Sequence, residues 1–393
     1  MDQADYRQLG KAEKRARLRE IALVFLRLGT VAFGGPAAHI AMMEEEIVTR
    51  RGWLSREKFL DLLGATNLIP GPNSTEMAIH LGYTRGGLAG LFIAGTFFIL
   101  PAMAIVLVFA ALYVRHGRVQ EVEGVLYGVK PVILAVILQA LARLGRSVIK
   151  GPLPALLASA VTALYFLGVS EIPLLLVSGL MLMLIRNRRR IRDKMFSFSL
   201  LPSALALSSV PETARLPGSL SNAGIFFTFL KIGSVLYGSG YVLLAFLETE
   251  FVSRLGLITR QQLLDAVAVG QFTPGPVFTT ATFIGYLLYG FPGALSATAG
   301  IFLPSFLLVF LLNPLIPKMR ASSWFSAALD GVNAASLALM AAVSFRLAQA
   351  SLPDVPTVLL AIASLALLVK TKISSFWLII GGGLAGFLIK AAF

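Results

Sequence analysis

Twelve apolar runs mark the chain. Six lie near positions 21–43, 59–82, 87–114, 124–142, 152–168 and 172–186, and six more near 224–247, 262–288, 291–316, 325–348, 355–369 and 375–392. Most approach the roughly 20 residues that an α-helix needs to cross a bilayer. The pattern predicts an all-α polytopic membrane protein. It divides into a cytoplasmic N-terminal segment (1–20), a first repeat (21–190), a linker (191–222) and a second repeat (223–393).

The two sets of runs are copies. An offset of 204 aligns Phe25–Thr75 with Phe229–Thr279 without a gap, and an offset of 203 carries Gly82-Tyr83, Gly87, Gly90, Pro101 and Gly128 onto identical residues. Matched interruptions in the two copies predict broken helices and a binding site at the repeat interface. The main interruption is Pro70-Gly71-Pro72 followed by Asn73-Ser74-Thr75-Glu76, matched by Pro274-Gly275-Pro276 followed by Val277-Phe278-Thr279-Thr280. The first proline removes a donor and ends a helix, the glycine permits a redirection, and the second proline suits the first turn of a new helix. A half-helix starting there exposes free N–H groups and a positive dipole end at membrane depth. Such backbone survives in lipid only where protein buries it or a cavity receives it.

Composition agrees with this reading and excludes other classes. Of 393 residues, 56% are apolar and 14% charged. Cysteine is absent and only three histidines occur, which removes disulfides, thiolate metal sites and most imidazole metal centres; no cofactor is expected. The net charge of +14 comes from basic residues beside apolar runs, as in Lys11–Arg19 and Arg186–Arg190, so juxtamembrane anchoring accounts for it and nucleic acid is not expected as a partner. Both basic stretches favour the cytoplasm. In the second repeat, Arg254, Arg260, Lys318, Arg320, Lys370 and Lys372 fall on one set of loops and Arg215, Arg346 and Lys390 on the other. That bias predicts repeats of inverted topology, with an extra crossing in the linker near 196–211.

Candidate binding groups cluster at the breaks. Arg27 and Lys231 occupy one aligned position, ahead of the breaks Phe33-Gly34-Gly35-Pro36 and Tyr237-Gly238-Ser239-Gly240. A cation inside a span costs about 2.5–3.5 kcal/mol when central, which favours a substrate-charge role; snorkelling from the segment start is the alternative. Lys130, followed by Pro131, lies deeper, where it either faces substrate or pairs with a carboxylate such as Glu76 or Asp330. Asn73, Ser74, Thr75, Thr279 and Thr280, with the amides near Gly71 and Gly275, suit a tetrahedral oxyanion or else cap their helices. Glu76 and His80 are candidates for proton or ion coupling, with structural pairing as the alternative. Glu44, Glu46, Arg50 and Asp61 read as structural pairs, and Ser55 and Thr259 as helix N-caps, Thr259 with Gln262 in a capping box. No Gly-x-x-x-x-Gly-Lys-Ser/Thr phosphate loop is present, and no nucleophile motif points to an intramembrane enzyme.

Phe33-Gly-Gly-Pro36 and the run Pro70-Gly-Pro-Asn-Ser-Thr-Glu-Met-Ala-Ile-His-Leu-Gly-Tyr83 resemble the chromate ion transporter family, in its long, two-domain form. Tyr237-Gly-Ser-Gly240 and Gln271-Phe-Thr-Pro-Gly-Pro276 resemble that family's C-terminal domain. The resemblance implies efflux of chromate across the bacterial inner membrane, conferring resistance, with sulfate as a related substrate. A homodimer in the lipid bilayer is compatible with it, and an N-terminus in the cytoplasm is expected. A channel, a sulfate transporter and an intramembrane enzyme are the alternatives. The second copy lacks counterparts of Asn73, Ser74 and Glu76, so the halves are not expected to contribute equally.

Overall fold

The computed structural model describes residues 6, 8–33, 35–116, 120–188, 220–237, 240, 242–313, 315–316, 319, 322–371 and 373–392. Seven helices are described in the first half: α1 (Lys11–Val31), α2 (Gly35–Glu44, continued by a π-helical turn Glu45–Arg50), α3 (Arg56–Thr66), α4 (Asn73–His116), α5 (Gln120–Val148), α6 (Pro152–Phe166) and α7 (Glu171–Arg186). Seven follow in the second: α8 (Asn222–Val235), α9 (Leu243–Leu247, continued by a π-helical turn Glu248–Arg254), α10 (Arg260–Phe272), α11 (Thr280–Leu312), α12 (Ser323–Ser351), α13 (Val355–Lys370) and α14 (Ser375–Ala392). Seven rather than six arise because the first two apolar runs of each half split into two arms each, and the last of these arms is continuous with the third run in α4 or α11.

The run 21–43 folds back on itself. Arg51 bonds Glu20, Arg27 faces Glu46 and His39 meets the Ala32 carbonyl, so α1 and α2 form an antiparallel hairpin that α1 leaves at Ala32-Phe33. The run 59–82 does the same. The Ser55 hydroxyl caps α3, which stops at Asn67, and Asn67 meets Asn73 across the Pro70-Gly71-Pro72 tip at 2.8 Å. The first arm of α4 then descends to Gly86-Gly87, where Gly87 adopts φ +60°, and the chain reverses into a second arm. Gly82 packs on the Gly90 carbonyl at this reversal, a closeness that leaves no space for a Cβ. The second half repeats each device: a Thr259–Gln262 capping box opens α10, and α11 reverses at Tyr289-Gly290, with Gly290 at φ +60°. α4, α11, α12 and the 123–148 part of α5 are long and apolar enough to cross a membrane.

The halves interlock through small residues. Gly128 on α5 packs against the backbone of Gly382 and Gly386 on α14, and its counterpart Gly331 on α12 packs against Ser178 and Gly179 on α7. Each half's last helix therefore lies on the other half's α5 or α12, and absence of side chains is what allows the backbones this close. The equivalent helices α4 and α11 run antiparallel: Leu91 clusters with Val309, and Phe92 stacks on Phe306 with centroids 5.7 Å apart. Antiparallel packing of equivalent helices is the inverted relation that loop charge suggested. The charge count itself needs one correction. Arg260 shares Glu248 with Arg346, so these cations lie together rather than on opposite loops, because the α8–α9 pair is a re-entrant hairpin and not a crossing. The proposed extra crossing at 196–211 lies outside the described residues.

Candidate functional site

The four hairpin tips meet in reciprocal pairs. The Gly71 amide donates to the Leu236 carbonyl at 2.8 Å, and the Gly275 amide donates to the Ala32 carbonyl at 3.0 Å. Each Pro-Gly-Pro tip thus docks on the first break of the opposite half. Gly71 and Gly275 hold φ of +139° and +86°, conformations open to glycine and strained for other residues. Their amides therefore join the repeats and are not free for a ligand. Beyond each tip a helix begins: Thr75 and Glu76 donate to the Pro72 carbonyl, and Thr279 donates to the Pro276 carbonyl. The amides ahead of them, at Asn73-Ser74 and Val277-Phe278, precede the first intrahelical bond and carry the positive end of the helix.

Both helix starts open into one cavity of about 590 Å³ at the seam between the halves. Its wall includes Phe33 and Pro36 from the first break, Pro72, Asn73 and Ser74 from one tip, Gly240, and Pro276, Val277 and Phe278 from the other. Gln139 and Arg143 of α5 and Thr371, Ser374 and Ser375 before and at the start of α14 complete it. Arg143 has no ion pair among the described residues. A free guanidinium, two helix N-termini and several hydroxyls facing one space can hold a tetrahedral oxyanion from several directions.

The expected ligands divide. Asn73, Ser74, Pro36, Pro72 and Pro276 line the cavity. Gly35, at φ +79°, opens α2 beside it, while Gly34, Gly238 and Ser239 lie outside the described residues. Thr279 and Thr280 donate their hydroxyls to the Pro276 and Val277 carbonyls, so these protons are taken up within their own helix turn. Thr75 is fully buried with its hydroxyl unpartnered. Pro70 and Pro274 act as helix stops. Arg27 and Lys231 are not in the cavity wall; each faces a carboxylate at the aligned position, Glu46 at 3.8 Å and Glu250 at 2.9 Å. Glu46 also takes Arg50 and Arg51, and Glu44 takes Arg56, as the structural reading held. Glu76 and His80, one turn apart on α4, are both buried, and neither side chain has a hydrogen-bond partner among the described residues. The Glu76 carboxylate and the Ser305 hydroxyl flank Gly71.

Lys130 pairs with neither carboxylate named for it. Asp265 of α10 takes it at 3.1 Å, with the Tyr113 hydroxyl donating to the same carboxylate at 2.9 Å; Asp330 bonds Arg186 instead. The Lys130 and Asp265 side chains are only 7% and 2% exposed. Removing one partner of so buried a pair costs about 3–5 kcal/mol, whereas replacing both with apolar groups is often neutral. Asp265→Ala is therefore expected to lower the denaturation temperature in detergent, and Lys130→Met with Asp265→Leu to recover most of the loss.

Sequence reading missed Arg143, Gln139 and Ser374. A signal existed for the arginine: at the offset of 203, Arg143 meets Arg346. Its position near the end of an apolar run makes it look like an ordinary flanking cation.

Comparison with known proteins bears on the same features. The chromate transporter family model matches residues 19–184 and again 223–387. A chromate transport protein of Cupriavidus metallidurans is 34% identical over 94% of this chain and 92% of its own length. A chromate transport protein of Pseudomonas aeruginosa is 31% identical over 93% and 91%. An uncharacterized transporter of Bacillus subtilis, YwrB, is 35% identical over 34% of this chain and 68% of its own. No solved structure matches.

Proposed function

The chain belongs to the chromate transporter family, and from that premise we propose that it is a multi-pass secondary transporter exporting chromate from the bacterial cytoplasm. The observation that carries this reading is the seam cavity, where Arg143, without an ion pair among the described residues, shares the wall with the starts of two half-helices, one from each repeat. The dianion brings two negative charges. Arg143 and the two helix dipoles offset them, and Ser74 and Ser374 replace water around the oxygens.

Direction follows from charge. The loop 149–151, the end of α7 and the N-terminal stretch Lys11–Arg19 carry the basic residues that favour the cytoplasm, and the cavity mouth at Arg143 and Thr371–Ser375 lies toward the same ends of α5 and α14. The cavity then opens inward, the N-terminus is cytoplasmic, and export begins from this conformation. A dianion leaving a negative interior gains roughly 4.6 kcal/mol per 100 mV, so outward movement of the anion is electrically downhill. No bond of the substrate changes.

Cells expressing the protein are expected to accumulate less labelled chromate than cells without it, and everted vesicles to take it up. Equal accumulation in both cell types refutes export. Sulfate has the same shape and charge, and its competition in everted vesicles measures how far the site separates the two oxyanions.

A further inference from the structure

The repeats place the tip residues of both halves in the seam cavity, but its groups from α5, α13 and α14 have counterparts on α12, α6 and α7, in a separate region that is closed. Arg143 corresponds to Arg346, Leu368 of the cavity wall to Tyr165, and Ser374 to Glu171. Where Arg143 has no carboxylate partner among the described residues, Arg346 lies 3.4 Å from Glu248, with its guanidinium 4.9 Å from the Tyr165 ring centre. Glu248 is fully buried, and it also takes Arg260 at 3.3 Å and the Tyr165 hydroxyl at 3.3 Å. Tyr165 itself packs edge-on against Phe166, whose ring meets Phe345. One side of the molecule thus presents an arginine to an open cavity. The other holds the equivalent arginine against a carboxylate and two aromatic rings.

Resting on the transport reading above, we propose that Arg346 is a second anion-binding residue, the outward-facing equivalent of Arg143, occupied here by Glu248 and Tyr165 in place of substrate. An oxyanion can take a guanidinium from a carboxylate when the surrounding helices rearrange, because both offer oxygens in the same bidentate geometry. Two-state behaviour is built into the symmetry. The reciprocal Gly71–Leu236 and Gly275–Ala32 tip contacts are equivalent bonds in the two halves, so a state with their environments exchanged uses the same contacts. In that state Arg346 faces an open cavity on the outer side. The ligand class is the same tetrahedral dianion, released outward from Arg346 after loading at Arg143.

The test is exchange of labelled chromate across native membrane vesicles of both orientations, with unlabelled chromate on the far side. Because Arg346→Gln alone leaves buried Glu248 with one arginine fewer, the variant is Arg346→Gln with Glu248→Gln. Its half-saturation for chromate offered at the outer face is expected to rise about tenfold, equivalent to about 1.4 kcal/mol, while that at the cytoplasmic face stays within about twofold. Arg143→Gln is expected to show the reverse, and Arg346→Lys to retain most of the outer-face affinity. An equal shift on both faces, a shift confined to the cytoplasmic face, or a fall in rate with neither half-saturation altered overturns the inference while leaving transport intact. Absence of exchange by the unaltered chain overturns the transport reading and this inference together.

Discussion

Arg143→Gln is expected to lower the initial rate of chromate export at subsaturating substrate by about 10–100-fold. The figure follows from the roughly 1.5–3 kcal/mol that a hydrogen bond to a charged group contributes. Arg143 lines the seam cavity and has no ion pair among the described residues, whereas Arg27 and Lys231 lie outside the cavity wall and face Glu46 and Glu250. Arg146, one turn along α5, is the matching control: Arg146→Gln leaves export within about twofold, since it is not part of the cavity wall. Export measured in everted vesicles at several chromate concentrations separates a binding defect, seen as a raised half-saturation, from a loss of protein. An Arg143→Gln variant exporting like the parent would remove the cavity from the transport path.

Gly128→Val is the second large effect. A Cβ at Gly128 meets the Gly382 carbonyl and the Gly386 backbone, which are main-chain atoms of α14 and cannot swing away as a side chain could. Overpacking of this kind costs about 1–3 kcal/mol where neighbours can adjust, and here the contact is a helix–helix crossing that joins the two repeats. Denaturation in detergent is expected to shift downward by about 1–4 °C, at roughly 1 °C per kcal/mol for a chain of this length. Gly331→Val, at the aligned position against Ser178 and Gly179, behaves alike. Gly381→Ala, on α14 beside the crossing but facing open space, is expected to leave stability unchanged. If Gly128→Val denatures like the parent, α5 and α14 do not cross where the structure places them.

Much of this architecture was legible along the chain. Helix-breaking residues at matched positions announce broken helices, since a proline or a positive-φ glycine acts through its own backbone whatever surrounds it. The Ser55 and Thr259 caps are readable for the same reason: donor and acceptor lie three residues apart. The re-entrant hairpins were not readable. An apolar run that turns back at mid-depth has the same composition as one that crosses, and only contacts such as Arg51–Glu20 distinguish them. That single ambiguity also moved Arg254 and Arg260 to the wrong group of loops.

Pairing of charges marks the same divide. Local signals placed cations inside apolar runs and correctly treated each as needing an explanation, but the partner of a buried charge is set by which helices cross. Lys130 meets Asp265, 135 positions away, and Arg346 meets Glu248, 98 positions away. Sequence alone thus determined a duplicated helical membrane protein with Pro-Gly-Pro interruptions in both copies, because hydropathy, duplication and backbone restriction are properties of the residues in order. Tertiary structure decided that the tips dock reciprocally, that Arg27 and Lys231 face carboxylates outside the cavity wall, and that Arg143 faces the seam with no ion pair among the described residues. A charge is free or bound according to what lies across from it, and in a chain of inverted, interlocked repeats that neighbour comes from the other half.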